Sequence, residues 1–255
     1  MTRIFIATPA VKSGSSILSW LLSQHPAFAG RPILERMELG AMLNVLDWVP
    51  GWKEGDGRLG TGIGDAEMIE KIHGFTDSII NPNGGMYCGV KFTNFQAYRW
   101  LRYVFPGDKI LVTVRNLHDW YGSIKGWNTR REGMWKRQSV DRWIIDGATS
   151  LVGVQEVGIV HLEDLISDPA KTMEAVHGYL GLDHHPIDLA GQESVFLSYS
   201  SVPDSMLPPI DQGTLIKSPI GRGNILGNED RDHVTAVFNR EINVRMLYSD
   251  SRRIR

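Results

Sequence analysis

The chain has 255 residues, with 27 basic and 29 acidic side chains and a formal net charge of -2. It is long enough to bury a core unaided, and too close to neutral to draw nucleic acid or an anionic membrane surface by its overall field. A single cysteine, Cys88, excludes an intrachain disulfide and points to a reducing, cytoplasmic setting. The apolar run Ile4-Phe5-Ile6-Ala7 is too short for a signal-peptide core, and no later run reaches the length of a membrane span. The expectation is one soluble domain over residues 1–255.

Arg3 to Thr8 mixes β-branched and aromatic residues and stops at Pro9, which predicts a buried strand closed by a turn. From Ser15, the spacing of Ile17, Leu18, Leu21 and Leu22 predicts a helix, with serines available as caps, that ends near His25-Pro26. Helical patterns follow over 35–46 and 66–80, separated by the glycine-rich stretch 51–64, a flexible connection able to act as a lid. Further predictions are a short strand over 87–92, a helix over 95–105 and a buried strand at Lys109 to Val114, bounded by Pro106-Gly107 and Arg115-Asn116. Next come helices over 117–127 and 139–151, a strand over 157–161 and a helix from Pro169 to Leu180. Residues 183–227 hold five of the chain's 12 prolines and no sustained period; they predict a long irregular segment covering a site, before a final helix over 230–248. Alternating strands and helices predict an α/β fold with a central parallel sheet of about four or five strands flanked by helices.

Two constellations carry chemistry. In Lys12-Ser13-Gly14-Ser15-Ser16, between the first strand and the first helix, backbone N–H groups, a helix N-terminus, hydroxyls and one ammonium can cradle a phosphate. The lysine precedes the glycine and no Gly-Lys-Ser/Thr occurs, so the loop is not a Walker A motif, which weighs against a nucleotide kinase. Read alone, the loop is equally an ordinary helix start. The second constellation is Arg115 at the end of the strand over 109–114, with Ser123 eight residues on; carboxyl ends of strands in open α/β sheets are where ligands bind. No histidine or cysteine cluster has metal-ligand spacing, and no Gly-x-Ser-x-Gly elbow occurs, so neither a metal nor serine-hydrolase chemistry is expected.

In order along the chain, these features resemble the family of sulfotransferases that use 3′-phosphoadenosine-5′-phosphosulfate (PAPS). Thr8-Pro9, Lys12 to Ser16 and the helix bearing Trp20 and ending His25-Pro26 resemble its first signature, with Ala10-Val11 inserted and expected to enlarge the turn. Val112-Thr113-Val114-Arg115-Asn116-Leu117-His118-Asp119 and Ser123 resemble its second, with Leu117 in place of proline. His161-Leu162-Glu163-Asp164-Leu165, Asp168-Pro169 and Tyr179-Leu180-Gly181-Leu182 resemble an architectural stretch of the family. Arg222-Gly223-Asn224-Ile225-Leu226-Gly227 is similar to its C-terminal phosphate-covering loop, with Gly-Asn where Lys-Gly is usual.

The resemblance implies a P-loop-like sulfotransferase fold, PAPS as co-substrate and its desulfated form PAP as product, with no metal. It implies that Lys12, Ser13, Gly14, Ser15 and Ser16 hold the 5′-phosphate and that Lys12 stabilises it as leaving group. It further implies that Arg115, Ser123, Arg222, Gly223 and Asn224 bind the 3′-phosphate. Lys91 occupies a position where the family often places a lysine before a catalytic histidine, and here that histidine is Thr93. An acceptor hydroxyl still benefits from a base; Glu35 is the first candidate by resemblance, with His73 and His118 as rivals. Tyr199 or Phe196 would slot the adenine, and Trp48, Trp52, Trp127 and Trp135 would wall an acceptor cleft. The expected partner is a small-molecule, carbohydrate or lipid acceptor, with homodimerisation open. The competing readings are a P-loop kinase or nucleotide-phosphate binder and a catalytically inactive PAP-binding scaffold.

Overall fold

The computed structural model describes residues 2–28, 33, 39–40, 42–43, 46, 65–80, 87–92, 98–128, 136–152, 154, 157–190, 221–248 and 253–254. Four apolar runs form strands, β1 (Thr2–Ala7), β2 (Tyr87–Phe92), β3 (Lys109–Val114) and β4 (Val157–His161). All pair in parallel in the order β2-β1-β3-β4, which meets the expectation of a parallel sheet.

Side chains alternate across a strand, and each face of the sheet has its own core. Ile4 and Ile6 of β1 and Leu111 of β3 pack with α1 (Ser15–Ser23), α6 (Leu162–Ser167) and α7 (Pro169–Leu180). Phe5, Ala7, Ile110, Val112 and Val114 point the other way. They meet α2 (Asp65–Ile80), α3 (Tyr98–Val104), α4 (Leu117–Asn128), α5 (Arg137–Val152), α8 (Asn228–Arg240) and α9 (Ile242–Tyr248). A sheet buried on both faces requires strands that are apolar throughout, and β3 is buried from Ile110 to Val114. At the amino ends of the strands, Arg3 clasps Asp77 of α2 and Asp108 before β3.

The strand and helix predictions hold within a residue or three wherever the chain is described, except at the last helix, after β4 and in short 3-10 turns. The predicted last helix is two helices, α8 and α9, broken at Glu241, whose backbone is extended. The break lets α8 pack on α4, through Lys125 to Asp230, while α9 packs on α5, through Asn243 to Thr149. The short helix α6 follows β4 directly, and a 3-10 turn, Arg222–Ile225, lies within the segment predicted to be irregular. The predicted lid over 51–64 and most of the helix over 35–46 lie outside the described residues.

Candidate active site

Strand order reverses between β1 and β3, so their carboxyl ends open a crevice. Each of the four strands delivers a charged residue to this edge. Lys91 is next to last in β2, Lys12 lies in the loop after β1, Arg115 follows β3 and Glu163 follows β4.

The loop after β1 is shaped by side chains that bind its carbonyls. Thr8 Oγ1 and Ser13 Oγ both donate to the Ala10 carbonyl, at 2.7 and 2.8 Å. Trp120 Nε1 donates to the Val11 carbonyl at 2.6 Å, and Arg115 Nη1 to the Lys12 carbonyl at 3.2 Å. Ala10 and Val11 are thus each tied down through the carbonyl. Tyr98 Oη adds a donor to the Thr8 carbonyl and an acceptor for the Thr8 N–H.

Lys12 has φ 68°, and among the described residues it is the one non-glycine in the left-handed region, a conformation that costs on the order of 1–2 kcal/mol. Gly14 follows at φ 95°, where an added β-carbon would lie 2.7 Å from Leu162 Cδ1. Glycine is required there on both counts. Gly14, not a serine, is the N-cap of α1, and among the described residues no side-chain cap of this helix is seen. This corrects the expectation of serine caps: Ser13 is turned to Ala10, and Ser16 Oγ accepts from Lys91 Nζ at 3.0 Å. In the first turn the Ile17 N–H bonds to the Gly14 carbonyl at 3.1 Å, and Lys91 sets its ammonium at Ser16 beside the helix start. Lys91 is 4% exposed, whereas Lys12 is exposed.

Arg115 is buried, and burial pulls its guanidinium down to about 10, with Asp119 drawing it up and Arg222 pressing it down. It is therefore a cation at neutral pH with a second cation, Arg222, near enough to repel it. Such a pair is suited to a doubly charged anion. Glu163 Oε1 accepts from the Asn116 N–H at 2.8 Å, and burial pushes its carboxyl up while Arg115 pulls it down. Ser123 is buried on α4, next to Gly122.

The Arg222–Ile225 turn lies directly on α4. A β-carbon on Gly122 would come within 2.1 Å of the Arg222 carbonyl oxygen, and one on Gly223 within 3.0 Å of His118 Cβ. Asp119 Oδ2 accepts from the Gly221 N–H at 2.9 Å and Oδ1 from the Gly223 N–H at 2.8 Å. Asn224 is exposed, and its Oδ1 accepts from Arg231.

The structure therefore brings together Lys12, Ser13, Gly14, Ser15, Ser16 and Lys91 at one end of the crevice, and Arg115, Ser123, Arg222 and Gly223 at the other. His73 is elsewhere: its Nε2 bonds to the Val104 carbonyl and its ring stacks on Phe105, near the amino end of β3. His118 faces α8, with Nε2 3.3 Å from Thr235 Oγ1. Glu35, Thr93, Phe196, Tyr199, Trp48, Trp52 and Trp135 lie outside the described residues. Sequence reasoning gave no role to Asp119, Trp120 or Glu163; the signal for Asp119 was an acid in a helix first turn, four residues after the arginine.

A parallel α/β sheet with a glycine-bearing loop at its switch point and a buried arginine just after the neighbouring strand defines a doubly wound α/β class of fold. Three solved structures narrow it. A sulfotransferase from Alicyclobacillus acidocaldarius superposes with a TM-score of 0.53 at 15% identity, covering 97% of this chain and 95% of that one. Mouse sulfotransferase SULT7A1 complexed with PAP gives 0.52 at 14%, covering 96% and 88%. The sulfotransferase domain from the curacin biosynthetic pathway gives 0.50 at 12%, covering 97% and 96%. The chain has the sulfotransferase fold. No protein-family model matches it, and no curated protein matches it in sequence. Among the described residues no helix is long and apolar enough to cross a membrane.

Proposed function

We propose that the chain is a PAPS-dependent sulfotransferase that moves a sulfuryl group to a hydroxyl or amine of a small-molecule, carbohydrate or lipid acceptor. The observation that carries this reading is the pair of cationic sites at one switch point, Lys12 and Lys91 around an uncapped helix start and Arg115 with Arg222 beyond β3. Two separate anion sites on neighbouring strand ends suit an adenosine with phosphates at both 5′ and 3′ better than a single triphosphate chain. Lys12 placed before the glycine departs from the Walker A order, which weighs against a P-loop kinase.

In this reading the acceptor oxygen bonds to sulfur as the bond from sulfur to the 5′-phosphate oxygen breaks, and PAP leaves with that electron pair. Lys12 and the N–H groups of Gly14, Ser15 and Ser16 take up the charge that develops on the leaving oxygen. Lys91, anchored on Ser16, adds a second positive charge in a site shielded from water. Arg115, Ser123, Arg222, Gly223 and Asn224 hold the 3′-phosphate and fix the donor in line, and Tyr199 or Phe196 is the proposed partner of the adenine. Glu35 is the proposed acceptor of the proton. Nothing in this chemistry calls for a metal.

Calorimetric titration tests the reading. Micromolar binding is expected for PAP and not for ATP or NAD, followed by transfer of labelled sulfate from PAPS in a screen of hydroxyl and amine acceptors. Tight ATP binding without PAP binding would favour a kinase and overturn the proposal. PAP binding with no transfer to any acceptor class would leave a binding scaffold.

A further inference from the structure

We propose that Asp119 is a positioning residue that fastens the Arg222 turn onto helix α4 and so sets Arg222 against Arg115; the inference rests on the donor-binding reading above. Asp119 sits in the first turn of α4, where Asn116 Oδ1 accepts from its N–H and from that of His118, which fixes the start of the helix. From there its two carboxylate oxygens reach the N–H groups of Gly221 and Gly223, the residues on either side of Arg222. A carboxylate suits this task because both partners are donors and each oxygen accepts one bond. Closeness makes the clasp specific. Gly122 lets the Arg222 carbonyl lie against α4, and the hydrogen at Gly223 leaves room for the Asp119 oxygen, which would be 3.1 Å from a β-carbon. Gly221, at φ 78°, supplies the left-handed residue that starts the turn.

The same carboxylate favours the charged form of Arg115 against burial and the repulsion of Arg222, while its two oxygens are engaged by the N–H donors of Gly221 and Gly223. Asp119 therefore acts on the anion through Arg222 and does not touch it.

The test is PAP titration of the full chain carrying Asp119→Ala, Arg222→Ala or both. Each single variant is expected to weaken PAP on the order of tenfold, the scale of a lost charge-assisted bond. The double variant should be no weaker than Arg222→Ala, because Asp119 works through that residue, whereas combination with Lys12→Ala should multiply the effects. In Asp119→Ala the donor KM should rise by a larger factor than turnover at saturating PAPS falls, the split expected of a residue that acts on donor binding through Arg222. Multiplicative losses in the Asp119–Arg222 pair, or unchanged PAP affinity in Asp119→Ala, overturn the proposal. Amide hydrogen exchange at Gly221 and Gly223 in the ligand-free protein separates this claim from the donor reading. Protection in the wild type and its loss in Asp119→Ala supports the clasp even if PAP does not bind, and equal exchange in both sinks it. Asp119→Asn, which keeps one acceptor oxygen and the shape of the side chain, serves where the alanine variant does not fold and should unprotect one of the two amides.

Discussion

Lys12 and Arg115 meet at one atom, the Lys12 carbonyl oxygen, yet they are expected to fail differently. Lys12 is exposed and left-handed, with its ammonium in the loop that would hold a leaving phosphate. Lys12→Ala should lower turnover with labelled PAPS far more than it lowers PAP affinity, since charge on the leaving oxygen is greatest in the transition state. Arg115→Ala should weaken PAP by about 1.5–3 kcal/mol in a titration, the value of a charge-assisted bond; equal affinity in the variant and the wild type would remove the residue from the site. Both residues are legible in the sequence because their signatures are local, a few residues around a strand end. Asp119 is quoted in the same signature without a task, because its partners lie 102 and 104 residues away. No spacing rule carries that distance.

Helix α5 meets the loop after β1 through a glycine. A β-carbon at Gly147 would sit 1.8 Å from the Pro9 carbonyl oxygen, and backbone cannot give way there as a flexible side chain would. Gly147→Ala is thus expected to destabilise the fold in denaturant titration by 1–3 kcal/mol, the usual range for overpacking, in spite of alanine's better helix propensity. It should also shift the Pro9 turn and weaken PAP. Retention of wild-type stability would show that α5 moves aside without cost. The elements themselves were readable from periodicity, and so was their alternation. The break at Glu241 was not, because no glycine or proline marks it and it follows from two helices, α4 and α5, each claiming half of one apolar stretch. The shape of the Ala10-Val11 turn was equally hidden, since the Val11 carbonyl is held by Trp120, 109 residues along the chain.

For the molecule as a whole, acid is the condition that tests the packing away from the crevice. His177 is 1% exposed, and neither of its ring nitrogens has a hydrogen-bond partner among the described residues. Burial, with His25, His184 and His185 close by, pushes it down to about 4 from an ordinary 6.5. Below pH 6.5 the unfolded chain binds a proton there that the folded chain refuses, so stability falls as pH drops from 6.5 to 4. The loss is on the order of 3 kcal/mol. Urea unfolding at pH 7 and pH 4.5 should register most of it, and His177→Leu should flatten that difference; an unchanged pH dependence in the variant would place the acid sensitivity in other groups.

The tethered carbonyls of Ala10, Val11 and Lys12 bear on how fast a ligand is captured. Their partners, Thr8, Ser13, Trp120 and Arg115, are supplied by folding, so the entropy of ordering this turn is lost once, when the chain folds, and not again at each turnover. Under the proposed function an arriving phosphate would meet a socket already formed, and its capture would be governed by encounter and by the surrounding positive charge rather than by waiting for the loop to adopt a rare shape.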